Sequence, residues 1–175
     1  MQTTLYSEPI AILSAGGTFE KVYDPIGGQL RLPNQSRLSQ WAQQARLRCI
    51  HRIEEVLLKD SLEMVDADRN LLSQRVSQAK ERRIVIVHGT DTMTDSAQVL
   101  AKHLRPEQVV VLTGAMVPAS LEGSDALINL GSAIAAAQLM PPGVWVSIQG
   151  QIFSALHVQK NRALGLFEPT SQCRS

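Results

Sequence analysis

Residues 84–93 read IVIVHGTDTM, a short apolar run that stops abruptly at small polar side chains. A second stretch of the same kind, IAILSAGGTF at residues 10–19, runs into two glycines and a threonine. Unbroken β-branched runs of this length are typical of strands that are buried on both faces of a parallel sheet. Ligands bind at the carboxyl ends of such strands, where the following loops converge. We therefore expect these two strand ends to meet in one site.

Apolar runs and helical patterns alternate along the rest of the chain. Two more runs rich in β-branched residues follow, so the predicted buried strands cover residues 10–13, 84–87, 109–112 and 144–148. Helical periodicity predicts helices over residues 36–46, 70–82, 94–104 and 125–139. The segment 49–64 fits either a strand or a helix, and we interpret it as a strand that ends near Leu58. This alternation predicts an α/β fold, a three-layer α/β/α sandwich around a mostly parallel sheet.

Two segments have no regular pattern. Residues 24–36 read DPIGGQLRLPNQS, a Gly/Pro-rich loop long enough to form a mobile lid. The tail from Glu168 onward has the composition of a frayed end. No repeat, low-complexity tract or linker divides the chain, so we expect one catalytic domain over residues 1–175.

Composition excludes several classes of function. A chain of 175 residues with 44% hydrophobic content can bury a substantial core. Its 17 basic and 16 acidic side chains give a net charge of +1, which provides no electrostatic footprint for nucleic acid or an anionic membrane. Cys49 and Cys173 have neither metal-ligand spacing nor the density of a disulfide framework. With no charged leader and no run of about 20 apolar residues, we expect a cytoplasmic protein that acts on a small molecule or a partner protein.

The two strand ends supply a defined set of reactive side chains. Gly16 and Gly17 allow backbone N–H groups to approach a ligand, and Thr18 follows them. Thr90 and Asp91 hold the corresponding place after the second strand. Taken singly, a glycine turn is common and a Thr-Asp-Thr cluster can simply cap the next helix. Two such strand ends on one sheet, with a third at LTGAMVP, residues 112–118, favour a ligand-binding or catalytic site at this edge of the sheet.

A threonine hydroxyl attacks a substrate only after a base removes its proton. His88 is one candidate base, although a histidine that directly ends a strand is more often packed than catalytic. Lys160 and Tyr23 are the others, because a desolvated lysine or a stabilised phenolate can accept a proton. The residues alone leave this choice open.

Four segments in order resemble the motifs of the bacterial-type L-asparaginases: SAGGTFEK, VHGTDTMTDSA, VVLTGAMVP with GSDALINLGSAIAAA, and GQIFSALHVQK. The resemblance extends from about Ile10 to about Lys160, and HGTDTM is its most specific part. It implies hydrolysis of the side-chain amide of L-asparagine to aspartate and ammonia, without a cofactor or a metal.

The resemblance also assigns roles to single residues. Thr18 matches the nucleophile that forms the acyl-enzyme, and Tyr23 matches the tyrosine that activates it. Thr90 and Asp91 match the second catalytic group, which includes a lysine matched by Lys160. Asp91 would also bind the substrate's α-ammonium group, and Ser61 matches the serine that binds its α-carboxylate.

Two departures from the family pattern affect these expectations. Leu62 stands where the family often has Gln or Ser, which removes one polar contact to the substrate. The chain also ends before the C-terminal domain of longer members, so it resembles the short-chain asparaginases or a fragment. In the longer members that domain contributes an acidic group to the neighbouring subunit's site, and its absence here predicts weaker affinity for asparagine. Surface left uncovered predicts a homo-oligomer, a dimer or a tetramer.

Other interpretations remain open. The motifs define the reaction more than the substrate, so a glutaminase or another amidohydrolase of the same family fits them as well. A non-catalytic module that binds an amino acid is the alternative from another class. Nucleotide binding is disfavoured, because SAGGTFEK lacks both common phosphate-loop patterns. Asp125 and Asn129 also match the family pattern, but we interpret them as structural, with Asp125 capping its helix.

Overall fold

The structure is a computed structural model that describes residues 8–170. Its main sheet has six strands in the order β4-β1-β5-β6-β7-β8. The bounds of these strands are β1 Ile10–Gly16, β4 His51–Lys59, β5 Arg83–Val87, β6 Val109–Thr113, β7 Gly143–Ile148 and β8 Gln151–Ser154. All neighbours pair parallel except β7 with β8. The predicted mostly parallel sheet and its α/β class are confirmed.

The helices cover both faces of this sheet. They are α1 Leu38–Gln44, α2 Asp66–Gln78, α3 Met93–His103 and α4 Ala126–Leu139. Two small antiparallel sheets complete the fold, one from β2 Val22–Asp24 with β3 Gln29–Arg31 and one from β9 Val158–Asn161 with β10 Leu166–Pro169. Within residues 8–170, every helix is too short or too polar to cross a bilayer.

Alternate residues of the central strands enter two separate cores. Leu13 and Ile86 pack with residues of α2 and α3 on one face, while Ile12 and Val85 pack with α1 and α4 on the other. These side chains are fully buried, and each such burial contributes about 1.5–3 kcal/mol. Because both faces of the sheet are covered by helices, the central strands are continuous apolar runs in the sequence, and the fold has three layers, helices, sheet and helices.

The structure differs from the sequence-based expectations at α2 and in the unpatterned segments. Helix α2 begins at Asp66 rather than residue 70, because the Asp68 carboxylate accepts the Val65 N–H at 3.0 Å and caps the helix start. The segment 24–36 includes β3, so it forms part of a hairpin. Glu168 belongs to β10, whereas residues 171–175, including Cys173, lie outside the described residues. The strand assigned to the ambiguous segment is confirmed as β4.

Candidate active site

The loops that follow β1 and β5 are in backbone contact. Gly17 has φ 82°, a left-handed conformation that glycine adopts without steric cost. A Cβ added at Gly17 would lie 2.3 Å from the Cα of Gly89, so no other residue fits between the two loops. Thr18 directly follows Gly17, and Thr90 directly follows Gly89. The predicted meeting of these two strand ends is therefore observed.

The loop after β6 closes on the same place. A Cβ at Gly114 would lie 2.4 Å from the carbonyl oxygen of His88 and 3.2 Å from Cγ2 of Thr90. Three adjacent parallel strands thus deliver their following loops to one position. The glycines at these strand ends act by allowing main chains to approach closely.

Thr90, Asp91 and Lys160 form a hydrogen-bonded group at this position. Lys160 belongs to β9, and its Nζ donates to Thr90 Oγ1 at 2.7 Å and to Asp91 Oδ1 at 2.9 Å. The lysine side chain is 10% exposed and that of Asp91 is 33% exposed. A charge-assisted hydrogen bond in such a shielded place is stronger than one on the surface. The lysine can therefore polarise the Thr90 hydroxyl while Asp91 still faces solvent.

Residues that the sequence interpretation left out of the site hold the hairpin that carries Lys160. Gln149, with φ 52° at the β7–β8 turn, accepts the Phe167 N–H at 3.2 Å and donates to the Gly165 carbonyl at 2.9 Å. Phe167 lies opposite Lys160 in the β9–β10 pairing. Asn129 in turn accepts the Gln149 N–H at 3.0 Å. No local pattern in the sequence marks Gln149 for this role.

Ser61 lies against the same loop. It begins a short 3-10 turn, Ser61–Glu63, after β4, and it is 1% exposed. A Cβ at Gly89 would lie 2.5 Å from Ser61 Oγ, and the Ser61 carbonyl accepts the Thr92 hydroxyl at 2.8 Å. The loop after β4 therefore also reaches the site.

Thr18 opens another 3-10 turn, Thr18–Glu20, and is half-buried. Two backbone hydrogen bonds hold this turn in place. The Gly17 N–H donates to the Lys59 carbonyl at 2.9 Å, and the Phe19 carbonyl accepts the Ala119 N–H at 3.1 Å. These ties hold the Thr18 backbone between the loops after β4 and β6.

Tyr23 lies on β2, outside this cluster. It pairs opposite Leu30 and is 58% exposed. Within residues 8–170 no hydrogen bond joins its hydroxyl to Thr18, and the same part of the chain holds no group of three or more potential metal ligands. The structure thus brings together Thr18, Ser61, Thr90, Asp91 and Lys160, and it leaves Tyr23 on the neighbouring hairpin.

His88 is packed inside the fold. Its side chain is fully buried, and burial lowers its pKa to about 4. The Gly89 carbonyl can only accept a hydrogen bond, so Nδ1 at 2.8 Å from it carries the proton and Nε2 accepts the Ser96 hydroxyl at 2.8 Å. Both ring nitrogens are occupied, which leaves His88 no free position from which to act as a base.

The expectation that Asp125 caps its own helix is wrong. Its carboxylate makes no capping bond to α4 and instead accepts the N–H groups of Met116 and Val117 at 2.9–3.0 Å. It also accepts from Asn129 at 2.8 Å. The pair therefore fixes the loop after β6, which a local helix-start pattern does not reveal.

A groove of 820 Å³ lies elsewhere on the surface, between α1 and the amino end of β4. Arg46, Arg48 and His51 contribute to its lining, and none of the candidate site residues does. Since ligands of parallel sheets bind at the carboxyl ends of the strands, size alone does not make this groove the active site.

The sequence and the fold of this chain are similar to those of known proteins. The sequence profile described as Asparaginase, N-terminal matches residues 9–168. The chain belongs to the asparaginase family. L-asparaginase from Thermococcus kodakarensis is 40% identical over 84 residues, which are 47% of this chain and 26% of that protein. The structure of that asparaginase matches with a TM-score of 0.80 and 29% identity, covering 92% of this chain and 51% of that one.

Two further relatives extend the comparison. Glutaminase-asparaginase from Acinetobacter glutaminasificans is 34% identical over 102 residues, 53% of this chain and 31% of that protein. The structure of a probable cytoplasmic L-asparaginase from Campylobacter jejuni matches with a TM-score of 0.81 and 28% identity, covering 93% of this chain and 53% of that one. This asparaginase-family chain thus spans about half the length of the structures that it matches.

Proposed function

We propose that the protein hydrolyses the side-chain amide of L-asparagine to L-aspartate and ammonia. The observation that carries this proposal is the Lys160–Thr90–Asp91 group, held beside the Thr18 turn by the contact between Gly17 and Gly89. A hydroxyl nucleophile, a second hydroxyl polarised by an ammonium group, and a carboxylate together suit amide hydrolysis. Relatives named as asparaginases support this reaction class.

In the proposed first step, Thr18 Oγ attacks the amide carbon, and the C–N bond breaks after the nitrogen gains a proton. The Thr18 proton passes to a base, for which Tyr23 and the Thr90–Lys160 pair are the candidates. Ammonia leaves and an ester joins the substrate to Thr18. The positive charge of Lys160, next to Thr90, favours the negative charge that develops on the carbonyl oxygen.

In the second step, water attacks the ester, Thr18 regains its proton, and aspartate leaves. The Thr90 hydroxyl, polarised by Lys160 at 2.7 Å, orients this water and moves its proton. Asp91 is one-third exposed, so its second oxygen can bind the substrate's α-ammonium group. Ser61 supplies the hydroxyl for the α-carboxylate.

Glutamine is the main alternative substrate. One methylene changes binding in a pocket by about 1–3 kcal/mol, which is too little for these residues to exclude it. A relative is named glutaminase-asparaginase, which supports testing both amino acids. A module that binds an amino acid without hydrolysing it is the second alternative.

The test is ammonia release from L-asparagine and L-glutamine by the purified chain. We expect Thr18→Ala and Lys160→Met each to lower kcat by about 10³-fold or more, because each removes a group that acts in the transition state. Matched controls are Thr94→Ala on the first turn of α3 and the exposed Lys102→Met at its end, and both should keep wild-type rates. Full activity in Thr18→Ala would contradict the assignment of Thr18 as the nucleophile.

Two results would favour the alternatives. Faster release from glutamine would make the protein a glutaminase. No release by a folded wild-type chain whose melting temperature rises with asparagine would favour the binding module.

We also propose that the chain forms a dimer or a tetramer. Leu62 is 64% exposed next to Ser61, and Leu164 is 68% exposed on the hairpin that carries Lys160. Both are apolar surface close to the site that a subunit interface would remove from water. Light scattering should give a mass at least twice that of the chain, and a monomer at all concentrations would contradict this expectation.

A further inference from the structure

Glu20 is a buried carboxylate that the proposed mechanism does not use. It is 0% exposed and lies two residues after Thr18. Ser14 donates to Oε1, the Ser36 hydroxyl lies 2.7 Å from Oε1 and 2.9 Å from Oε2, and the Arg37 backbone N–H donates to Oε2 at 2.7 Å. Within residues 8–170 all its partners are hydroxyl or backbone donors, and no cationic side chain contacts it. A carboxylate buried in this way depends on every one of those hydrogen bonds.

The partners of Glu20 place it at the base of the β2–β3 hairpin. Glu20 is the last residue of the Thr18 turn, and Ser36 and Arg37 precede α1. The residues between them, 21–35, contain both hairpin strands and Tyr23. One carboxylate therefore joins the two ends of the segment that carries the candidate activating tyrosine.

The hairpin has little stability of its own. It contains three residue pairs, with Tyr23 exposed opposite Leu30. Isolated two-stranded hairpins are marginally stable in water, and a three-residue 3-10 turn is similarly weak. The position of Tyr23 relative to Thr18 thus depends on what holds the base of the hairpin.

We infer that Glu20 is a positioning residue whose carboxylate clamps the base of the hairpin and so fixes Tyr23 relative to Thr18. The kinetic part of this inference rests on the proposed function. Ser61 and Asp91 lie on the loops after β4 and β5, and within residues 8–170 Glu20 makes no hydrogen bond to either loop, so we expect substrate binding to be independent of the clamp. The clamp therefore affects the chemical step.

The test compares Glu20→Gln with a matched control, Glu55→Gln. In Glu20→Gln the side chain keeps the shape of glutamate, but an amide NH2 replaces one carboxylate oxygen, so either the Ser14 hydroxyl or the Arg37 backbone N–H loses its acceptor. Glu55 is exposed and accepts the Ser36 backbone N–H from outside the buried network, and it does not contact the Thr18 turn. Lys21, bound to Asp60 at 2.6 Å, still anchors the turn in both variants.

Two measurements are made on each folded variant. For Glu20→Gln we expect kcat for asparagine to fall roughly 10- to 100-fold with KM unchanged, because small misplacements of reacting groups are costly. We also expect faster trypsin cleavage after Arg31, an exposed residue on β3. Glu55→Gln should match the wild type in both. If Glu20→Gln does not fold, Ser36→Ala, which removes the donor shared by both carboxylate oxygens, takes its place with the same expectations.

Each result decides the inference. An unchanged kcat, or a rise in KM alone, in a folded variant would overturn the positioning role. An unchanged cleavage rate after Arg31 would overturn the clamp itself. If the wild type hydrolyses no amide, the proposed function fails, and the cleavage rates still decide whether Glu20 holds the hairpin.

Discussion

Lowering the pH should destabilise the folded chain through His88. The ring is fully buried, and burial lowers its pKa to about 4 from the usual 6.5. Between these values the unfolded state holds a proton that the folded state excludes, so stability falls as the pH drops through this window. A difference of about 2.5 pKa units corresponds to about 3 kcal/mol, since one unit is worth about 1.4 kcal/mol. Below pH 4, both states are protonated and the loss is complete.

Urea unfolding at a series of pH values measures this effect in the wild type, His88→Asn and Ser96→Ala. Ser96→Ala removes the hydroxyl that donates to Nε2 but keeps the titrating ring, so it should be less stable at neutral pH and keep the acid slope. His88→Asn should keep a donor to the Gly89 carbonyl and lose the slope between pH 6.5 and 4. Parallel stability curves for the wild type and His88→Asn would refute the reasoning.

Two further substitutions test the geometry of the site. Gly17→Ala would place a Cβ 2.3 Å from Gly89 Cα at φ 82°, so we expect this variant to lose ammonia release. Its melting temperature should lie well below that of the control Gly28→Ala, whose Cβ at φ 65° meets nothing within 4 Å. Equal melting temperatures of the two variants would contradict the close approach of the Gly17 and Gly89 loops. Asp125→Asn should lower the free energy of unfolding by about 1–3 kcal/mol, because its amide replaces one of the oxygens that accept from Asn129 and from two backbone N–H groups. Denaturant unfolding measures this loss, and an unchanged unfolding midpoint would contradict the conclusion that Asp125 fixes the loop after β6.

The strands were predictable because their signal is local. A strand buried on both faces needs apolar side chains at every position, and residues 84–87 show this without knowledge of any contact. The sequence predicted the start of α2 four residues too late. The helix start depends on the hydrogen bond from the Val65 N–H to the Asp68 carboxylate, and this bond depends in turn on the path of the chain before the helix. The β9–β10 hairpin was missed, since its strands have only four residues each, β9 is mostly polar and both are partly exposed.

The candidate site was predictable in part. The sequence named Thr18, Thr90 and Asp91 from strand ends and Lys160 and Tyr23 as candidate bases, and the motif resemblance added Ser61. The resemblance also named Tyr23, whose role stays a prediction because the residue lies on the exposed hairpin. Nothing local indicated that Glu20 would be buried beside Ser36, since a glutamate after a turn is ordinarily on the surface.

The sequence by itself determined the succession of the parallel strands and the four helices, and it determined that glycines and small polar residues end the central strands. These features follow from side-chain burial and backbone conformation, which depend on near neighbours in the chain. Only the tertiary structure decided which other polar groups pair, as with the Asn129 side chain and the Gln149 N–H, which are 20 residues apart. Such pairs form because packing of the sheet and hairpins removes water from both partners, and no local pattern records which partners will meet.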